Sequence, residues 1–514
     1  MIRPKPLVTF RLSRSAATLA LCALLGACAV GPDYQRPELD VGASYKEAQG
    51  QQQVEGWKPA QPRDEADRGK WWLVYGDDTL NALVERLNTS NQTIAQAEAN
   101  YRQALGLVRA ARAGFYPTVG ASAGMSRAGA GTGSSSSTNG SNVSNQYSVT
   151  GSVSWEVDVW GRVRRSTESS EASAAASLAD LGATRLSAQA ALVQTYFQLR
   201  VLDEQKRLLD ATVAAYERSL KLTQNRYEVG VAGQADVAVA RTQVESTRAQ
   251  SIDLDWQRGQ YEHAIAVLMG QAPSHFSLVP SVFTLQLPQI PVGLPSELLE
   301  RRPDIAAAER RAAAANAQIG VAQAAWFPSL ILSADGGFRN GQFADLLTAP
   351  ARFWSLGPAL ALTIFDGGAR AAQVEQARAS YDSQAAAYRQ AALVGLREVE
   401  DYLIQLRVME QEQIVQRRAL ESARESLRLI QNQYQAGLVD YLSVAVVDAT
   451  ALNSERNAIS LLGTRLVASV NLIVALGGGW EGTSQETSSA QEAQATQQPQ
   501  EPQVSQPPQM SQGS

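Results

Sequence analysis

The sequence predicts an α+β membrane protein in which long helices carry two β-hairpins, the whole built as an internal tandem repeat. Three observations predict it. The Ala-rich, charged run from Leu298 to Ser333 keeps a helical pattern until Trp326-Phe327-Pro328, where apolar and polar residues begin to alternate. Proline lacks the N–H that the next helical bond needs, so the chain hands over to an extended segment there. The same handover occurs at Phe115-Tyr116-Pro117, and one displacement carries Ala97-Glu98 and Tyr116-Pro117 onto Ala308-Glu309 and Phe327-Pro328, the mark of a duplication. Finally, the helical pattern after each hairpin is sustained for on the order of 100 Å at 1.5 Å per residue, far beyond an ordinary globular helix.

Composition agrees with long thin helices: of 514 residues, 45% are hydrophobic and many are Ala. The net charge of -5, without a basic block, argues against a nucleic-acid partner. Residues 1–27 read as a signal peptide, with Arg3, Lys5, Arg11 and Arg14 ahead of a short apolar stretch, Ala16 to Leu25. Its end, Leu25-Gly26-Ala27-Cys28, resembles the lipobox of bacterial lipoproteins, in which Cys28 becomes the lipidated first residue. Ala29 after it resembles an outer-membrane address. Cys22 leaves with the signal, so no disulfide framework or cysteine metal site is expected, and no cofactor beyond the lipid on Cys28. No later segment is read as an apolar membrane helix, so any crossing of a membrane falls to strands.

Residues 28–78 are polar and Pro-containing and read as an extended segment with little core of its own. The first repeat spans 79–270. Asp77 and Asp78 are acceptable caps for a helix running to Gly114. In the hairpin at about 117–160, Val119, Ala121, Ala123 and Met125 alternate with polar or small residues. After a Gly/Ser-rich loop, Tyr147, Val149, Val153, Trp155, Val157 and Val159 do the same. Such alternation over about ten residues fits a tilted transmembrane strand, one face to lipid and one to water. Glu156 and Asp158 are placed on the water face. A long helix follows from Arg164 to Tyr227, with Leu199, Leu202, Leu209, Val213, Tyr216 and Leu220 in a heptad-like seam that needs a helical partner. It ends at Gly230, and a return helix runs from Ala235 to Met269.

Residues 271–298 form a Pro/Val-rich linker, and 299–476 the second repeat. Its hairpin, at about 328–366, sets Leu330, Leu332, Ala334 and Phe338 against Trp354, Leu356, Leu360, Leu362 and Ile364. Its long helix runs from Arg370 to Tyr434, ends at Gly437, and returns from Tyr441 to Leu476. Residues 477–514, dominated by Gln, Ser, Pro and Glu, are expected to be disordered. Four membrane strands cannot close a barrel, and an open edge in lipid leaves backbone groups unpaired. The barrel is therefore expected to be shared between chains.

The order of lipobox, Gly31-Pro32-Asp33-Tyr34, Trp71-Trp72, the block from Arg302-Pro303-Asp304-Ile305 to Phe327-Pro328-Ser329, and Asn453-Ser454-Glu455-Arg456 resembles the outer membrane factor family. This is the TolC-like group, and within it the lipoprotein branch of OprM and the nodulation-type efflux lipoproteins. The resemblance implies a homotrimer with a twelve-strand barrel over a long periplasmic helical barrel. It implies partners too: a periplasmic adaptor and an inner-membrane transporter of the RND type, with the trimer as exit duct of a tripartite efflux pump.

The resemblance also places a gate and a docking point at the periplasmic tip. Gly230, Gly233, Gln234, Gly437 and Asp440 become candidates for adaptor contact, although turn chemistry alone favours such residues. Leu442 matches the family's apolar pore position. The acidic position holds Val446, with Asp448 two residues on, and Asp448 corresponds by repeat to Arg241, which suggests a charge pair holding the tip closed, the alternative being that both are solvated surface residues. An enzyme is not indicated: His263 and His275 are the only histidines, with no metal-binding or phosphate-cradling motif. The competing function is the outer-membrane channel of a type I protein secretion system, which uses the same fold. Cargo leaves no mark, and Met125, Met269 and Met409 form no soft-metal relay.

Overall fold

A computed structural model describes residues 30–39, 45–49, 68–129, 143–281, 287–288 and 302–478. The signal peptide, Cys28, most of the linker's second half and the tail beyond Gly478 lie outside the described residues. Asp77 caps the first helix, α1 (Asp78–Ser90), by accepting from the N–H groups of Thr79 and Leu80. The sequence reads one helix as far as Gly114, but the chain breaks at Asn91 and restarts as α2 (Gln92–Ala113).

The break has a tertiary cause. Asn91 accepts from Thr93 N and Ile94 N through Oδ1, while its Nδ2 donates to Leu268 O at 2.8 Å. Ser90 Oγ donates to Met269 O at 2.8 Å, so the end of the return helix is seated on the break. Gly270 (φ +66) closes the contact, since a Cβ there would lie 2.2 Å from Ser90 O. Asn91→Ala removes both the cap and the Leu268 bond. It is expected to cost about 1–2 kcal/mol in chemical denaturation of the purified protein.

Strands β1 (Thr118–Gly129), β2 (Val143–Val157), β3 (Ser329–Asn340) and β4 (Arg352–Ala361) form one antiparallel sheet in that order. Strand β4 stops at Ala361, so Leu362 and Ile364, read as strand residues, lie in the turn leading to the next helix. The register keeps one sidedness across all four strands. Val119, Val153, Ala334 and Leu356 are cross-strand neighbours on one face; Ser152, Asp335 and Ser355 are neighbours on the other.

Helices α3 (Arg162–Glu228) and α6 (Ala369–Gln435) are each 67 residues long. Their return helices, α4 (Gln234–Leu268) and α7 (Tyr441–Ala475), are each 35. Helix α5 (Pro303–Ala324) opens the second half as α2 ends the corresponding part of the first. Within the chain α3 packs on α2, α4, α5 and α7, and α6 packs on α5 and α7. Seam residues Leu199, Leu202, Leu209 and Tyr216 are buried as expected. The main core lies midway along the helices, where Trp72, Leu192, Tyr196, Phe197, Tyr388 and Leu403 meet.

Helix α7 departs from the reading that no later segment could span a membrane: by length and composition alone it is apolar enough. Half of its most apolar stretch is buried inside the fold, where Leu466, Val470 and Leu472 belong to the core. The apolar run is explained by packing on α6 and α3 together, with α4 also in contact.

Residues 30–39 form an extended strap. Val30 N donates to Trp160 O at 3.1 Å, at the helical end of β2. Gly31 (φ +110) crosses Gly320 so closely that a Cβ would lie 2.5 Å from Gly320 Cα. Arg165 donates to Val30 O, Gly31 O and Asp33, Asn316 donates to Pro32 O, and Arg36 reaches Glu309 and Tyr388.

Candidate functional site

Two regions could carry function, the sheet and the opposite end of the long helices. On the sheet, Val119, Met125, Trp354, Leu356 and Leu360 are exposed on the apolar side. The other side carries Thr118, Ser122, Ser148, Thr150, Ser152, Ser154, Ser333, Asp335 and Ser355. Among the described residues, strands β1 and β4 are both unpaired along their outer edges.

At the base of the sheet, indole groups fix the two handovers. Trp155 Nε1 donates to Phe115 O at 3.0 Å, just before Pro117. Trp160 Nε1 donates to Pro328 O at 2.7 Å and its ring stacks on Phe327. Both prolines thus stand where expected, with the tryptophans supplying locks the sequence reading missed. Glu156 lies on the polar side and is held by Arg162 at 2.5 Å. Asp158 corrects the expectation that it wets a channel: it lies beyond the end of β2 and accepts from Val163 N and Arg164 N, capping α3. Asp366 does the same for α6 through Gly368 N and Arg370 N.

At the far end, α3 and α6 stop at Gly230 (φ +80) and Gly437 (φ +76). The closing bonds correspond: Val231 N donates to Arg226 O and Leu438 N to Gln433 O, so glycine relieves the strain of a left-handed cap in both turns. Gly233 N donates to Asp236, and Gln234 is the exposed first residue of α4. Asp440 caps α7 by accepting from Ser443 N and Ser443 Oγ, bonds that hold its carboxyl below the usual range.

A small separate core welds the two turns together. It contains Ala240, Tyr434, Tyr441 and Val444, with the tyrosine rings edge to face at 5.6 Å. Arg226 lies over the Tyr434 ring at 4.7 Å and donates to Tyr434 O, while the Tyr441 hydroxyl donates to Gln243 at 3.1 Å. The sequence reading singled out none of these tyrosines as tip residues. The signal was present in Arg226-Tyr227 and Gln433-Tyr434 beside the glycines. Leu442 and Val446 are exposed one turn apart on the free face of α7.

Arg241 and Asp448 do not pair within the chain. Arg241 is exposed, whereas Asp448 turns toward α3 and the buried Tyr216 hydroxyl, which lacks a hydrogen bond of normal geometry. The cause is that α7 packs on α3, whereas the equivalent pair in the other half, α4 and α6, does not pack along its length among the described residues. Burial raises the Asp448 carboxyl to about 6; the facing Tyr216 hydroxyl opposes the rise and Glu455 adds to it. A carboxyl with a raised value stabilises the fold in its protonated form. That contribution is complete below the ordinary value of 3.8 and is lost as pH rises through about 6. Amide protection factors at residues 441–448, corrected for the intrinsic exchange rate at each pH, should therefore be larger at pH 5 than at pH 7.5, and Asp448→Asn should remove the difference.

A sheet with one apolar and one hydroxyl-lined face, carried on helices of this length, defines a membrane channel component. The chain belongs to the outer membrane efflux protein family, whose profile matches residues 83–271 and 294–478. It is 32% identical over 491 residues to the toluene efflux pump outer membrane protein TtgC of Pseudomonas putida, covering 93% of this chain and 99% of that one. It is 31% identical to the pyoverdine export outer membrane protein OpmQ of Pseudomonas aeruginosa, covering 92% and 98%. The solved outer-membrane channel OprN superposes with a TM-score of 0.81 at 30% identity, covering 88% of this chain and all of that one. The protein is accordingly an outer-membrane transport protein and not an enzyme.

Proposed function

We propose that three copies of the chain assemble into the outer-membrane exit duct of a tripartite efflux pump. The observation that carries this reading is a four-stranded sheet open at both edges, continuous with helices that end in two matched glycine turns. Three such sheets give a twelve-strand barrel with no open edge in lipid. The serine- and threonine-rich faces line its lumen, and the helices extend the lumen through the periplasm. Equal element lengths in the two halves support a duplicated chain that supplies two similar sectors of the ring.

The tip is the gate and the adaptor site. Leu442 and Val446 face the narrow end, the tyrosine core holds the two turns together, and Gly230, Gly233, Gln234, Gly437 and Asp440 form the contact edge. The lipid on Cys28 anchors the trimer; Val30, fixed beside Trp160 at the base of the sheet, supports that placement. Cys28→Ser should abolish incorporation of radiolabelled palmitate.

The cargo is small molecules delivered by an inner-membrane transporter of the RND type. Relatives named for toluene and for pyoverdine have nearly the same identity to this chain, so overall similarity does not choose among cargoes. The test is in-cell photo-cross-linking from Gln234 and Asp440. Capture of an efflux adaptor is expected; capture of an ATP-driven secretion complex would favour a type I secretion channel instead, and capture of neither would overturn the tip assignment.

A further inference from the structure

We propose that Arg127 and Arg352 form a binding site for an outer-leaflet glycolipid that carries phosphate groups on its sugar headgroup, one acyl chain lying in a glycine-floored depression beneath them. The inference rests on the proposed barrel and gives its outer wall a ligand. On β1 the apolar face runs through Val119, Ala121, Ala123 and Met125, and Arg127 is the next residue on it. Arg352 is the cross-strand neighbour of Phe338, Phe338 of Val149, and Val149 of Ala123, which puts Arg352 on the same face. The two arginines also stand level. Arg127 is the tenth residue of β1 counted from its helical end at Thr118, and Arg352 is the tenth of β4 counted from Ala361.

No anion of this chain answers them. Following the register through all four strands, Arg127 and Arg352 are the only charged residues on the outward face. No Asp or Glu occurs between Arg127 and Glu156, and Asp345 is the one carboxylate of the segment joining β3 to β4. Both arginines are exposed, and among the described residues neither has an ion pair or ring contact. Arg339 differs: it lies on the inward face and covers the Phe353 ring at 4.6 Å. Within one sheet Arg127 and Arg352 are three strand spacings apart, about 14 Å, but closing the barrel sets β4 of one copy beside β1 of the next, at about 5 Å. Like charges facing each other across neighbouring strands repel, so the level that carries them calls for a polyanion from outside the protein. Guanidinium groups suit phosphate oxygens, which they bind through paired N–H donors.

The surface below the arginines fits a hydrocarbon chain. A depression of about 450 Å³ is floored by Gly151 and Gly336, which are cross-strand neighbours, and walled by Val119, Trp354 and Leu356. A Cβ at Gly151 would come no closer than 3.7 Å to another atom, and one at Gly336 no closer than 3.8 Å. The chain's own packing therefore does not demand glycine at either place, and the space they leave admits a group from outside. Trp354 and the Tyr147–Phe343 pair, edge to face at 5.5 Å, mark the aromatic girdle at which acyl chains give way to headgroups. Arg352 lies one step beyond Trp354, at headgroup level.

The experiment incubates the full-length protein, purified in detergent, with bisphosphorylated lipid A and counts retained lipid by native mass spectrometry. One molecule per chain is expected. Arg127→Gln and Arg352→Gln should each weaken retention about tenfold, and lipid A lacking one phosphate should bind the unaltered protein more weakly by a similar factor. Gly336→Leu, which fills the depression, should also weaken retention, whereas Arg339→Gln should not. Equal retention by the double variant Arg127→Gln, Arg352→Gln overturns the inference, as does an equal loss on Arg339→Gln. Equally tight binding of phosphatidylglycerol overturns the assignment to a glycolipid. A trimer that retains no lipid A sinks this site and leaves the assembly standing; absence of a trimer overturns the assembly reading itself.

Discussion

Arg302→Ala should lower the stability of the protein by about 2–3 kcal/mol, read from urea or thermal unfolding of the purified protein. The guanidinium is buried at the start of α5, where it binds Asp304 through two nitrogens, Glu398 at 2.6 Å and the carbonyl of Ala475. One side chain thereby ties the beginning of the second half to α6 and to the end of α7. Removing it strands two carboxylates and a carbonyl. The carboxylates retain partial access to water, which keeps the expected loss below that of a fully buried pair. Arg302→Lys should recover only part of it, since an ammonium cannot reproduce the paired geometry toward Asp304.

Tyr441→Ala should loosen the tip by about 2–4 kcal/mol while leaving the main core intact. Tyr441 is buried in a core that includes only three other buried residues, so little else can take over its packing. Its loss also frees Gln243 and removes the ring against Tyr434. Amide exchange should rise in both turns, not only in the one that carries the substitution, and single-channel conductance in planar bilayers should increase. Tyr441→Phe keeps the ring and should cost only about 1 kcal/mol. Equal effects of the two substitutions would show that the hydroxyl, and not the packing, holds the turns.

Most of the fold was legible because its signals are local. Proline at 117 and 328, alternation in the strands and glycine at 230 and 437 each dictate backbone conformation without reference to distant residues. The elements they mark begin and end within a few residues of expectation. What sequence reading missed depends on remote partners. The break at Asn91 exists because the end of α4 docks there, and asparagine inside an apparent helix gives no warning of it. The early end of β4 leaves Leu362 and Ile364 in a turn despite strand-like alternation. The expected pair of Arg241 with Asp448 followed repeat equivalence, but equivalent residues in a duplicated chain occupy equivalent faces, and equivalent faces need not meet. Asp448 meets Tyr216 because α7 has α3 beside it.

The extended strap bears on the order in which the molecule comes together. Asn316 and Pro32 are 284 positions apart, and Arg36 and Tyr388 are 352 apart. Contacts of such separation require α3, α5 and α6 to be in place first, because the strap's crossing is formed between Gly31 and Gly320 and beside Arg165. The strap, which precedes in the chain every helix it crosses, is thus among the last parts to find its site. A lipid on Cys28 would hold it at the membrane surface meanwhile, replacing a search through three dimensions with one confined to a plane.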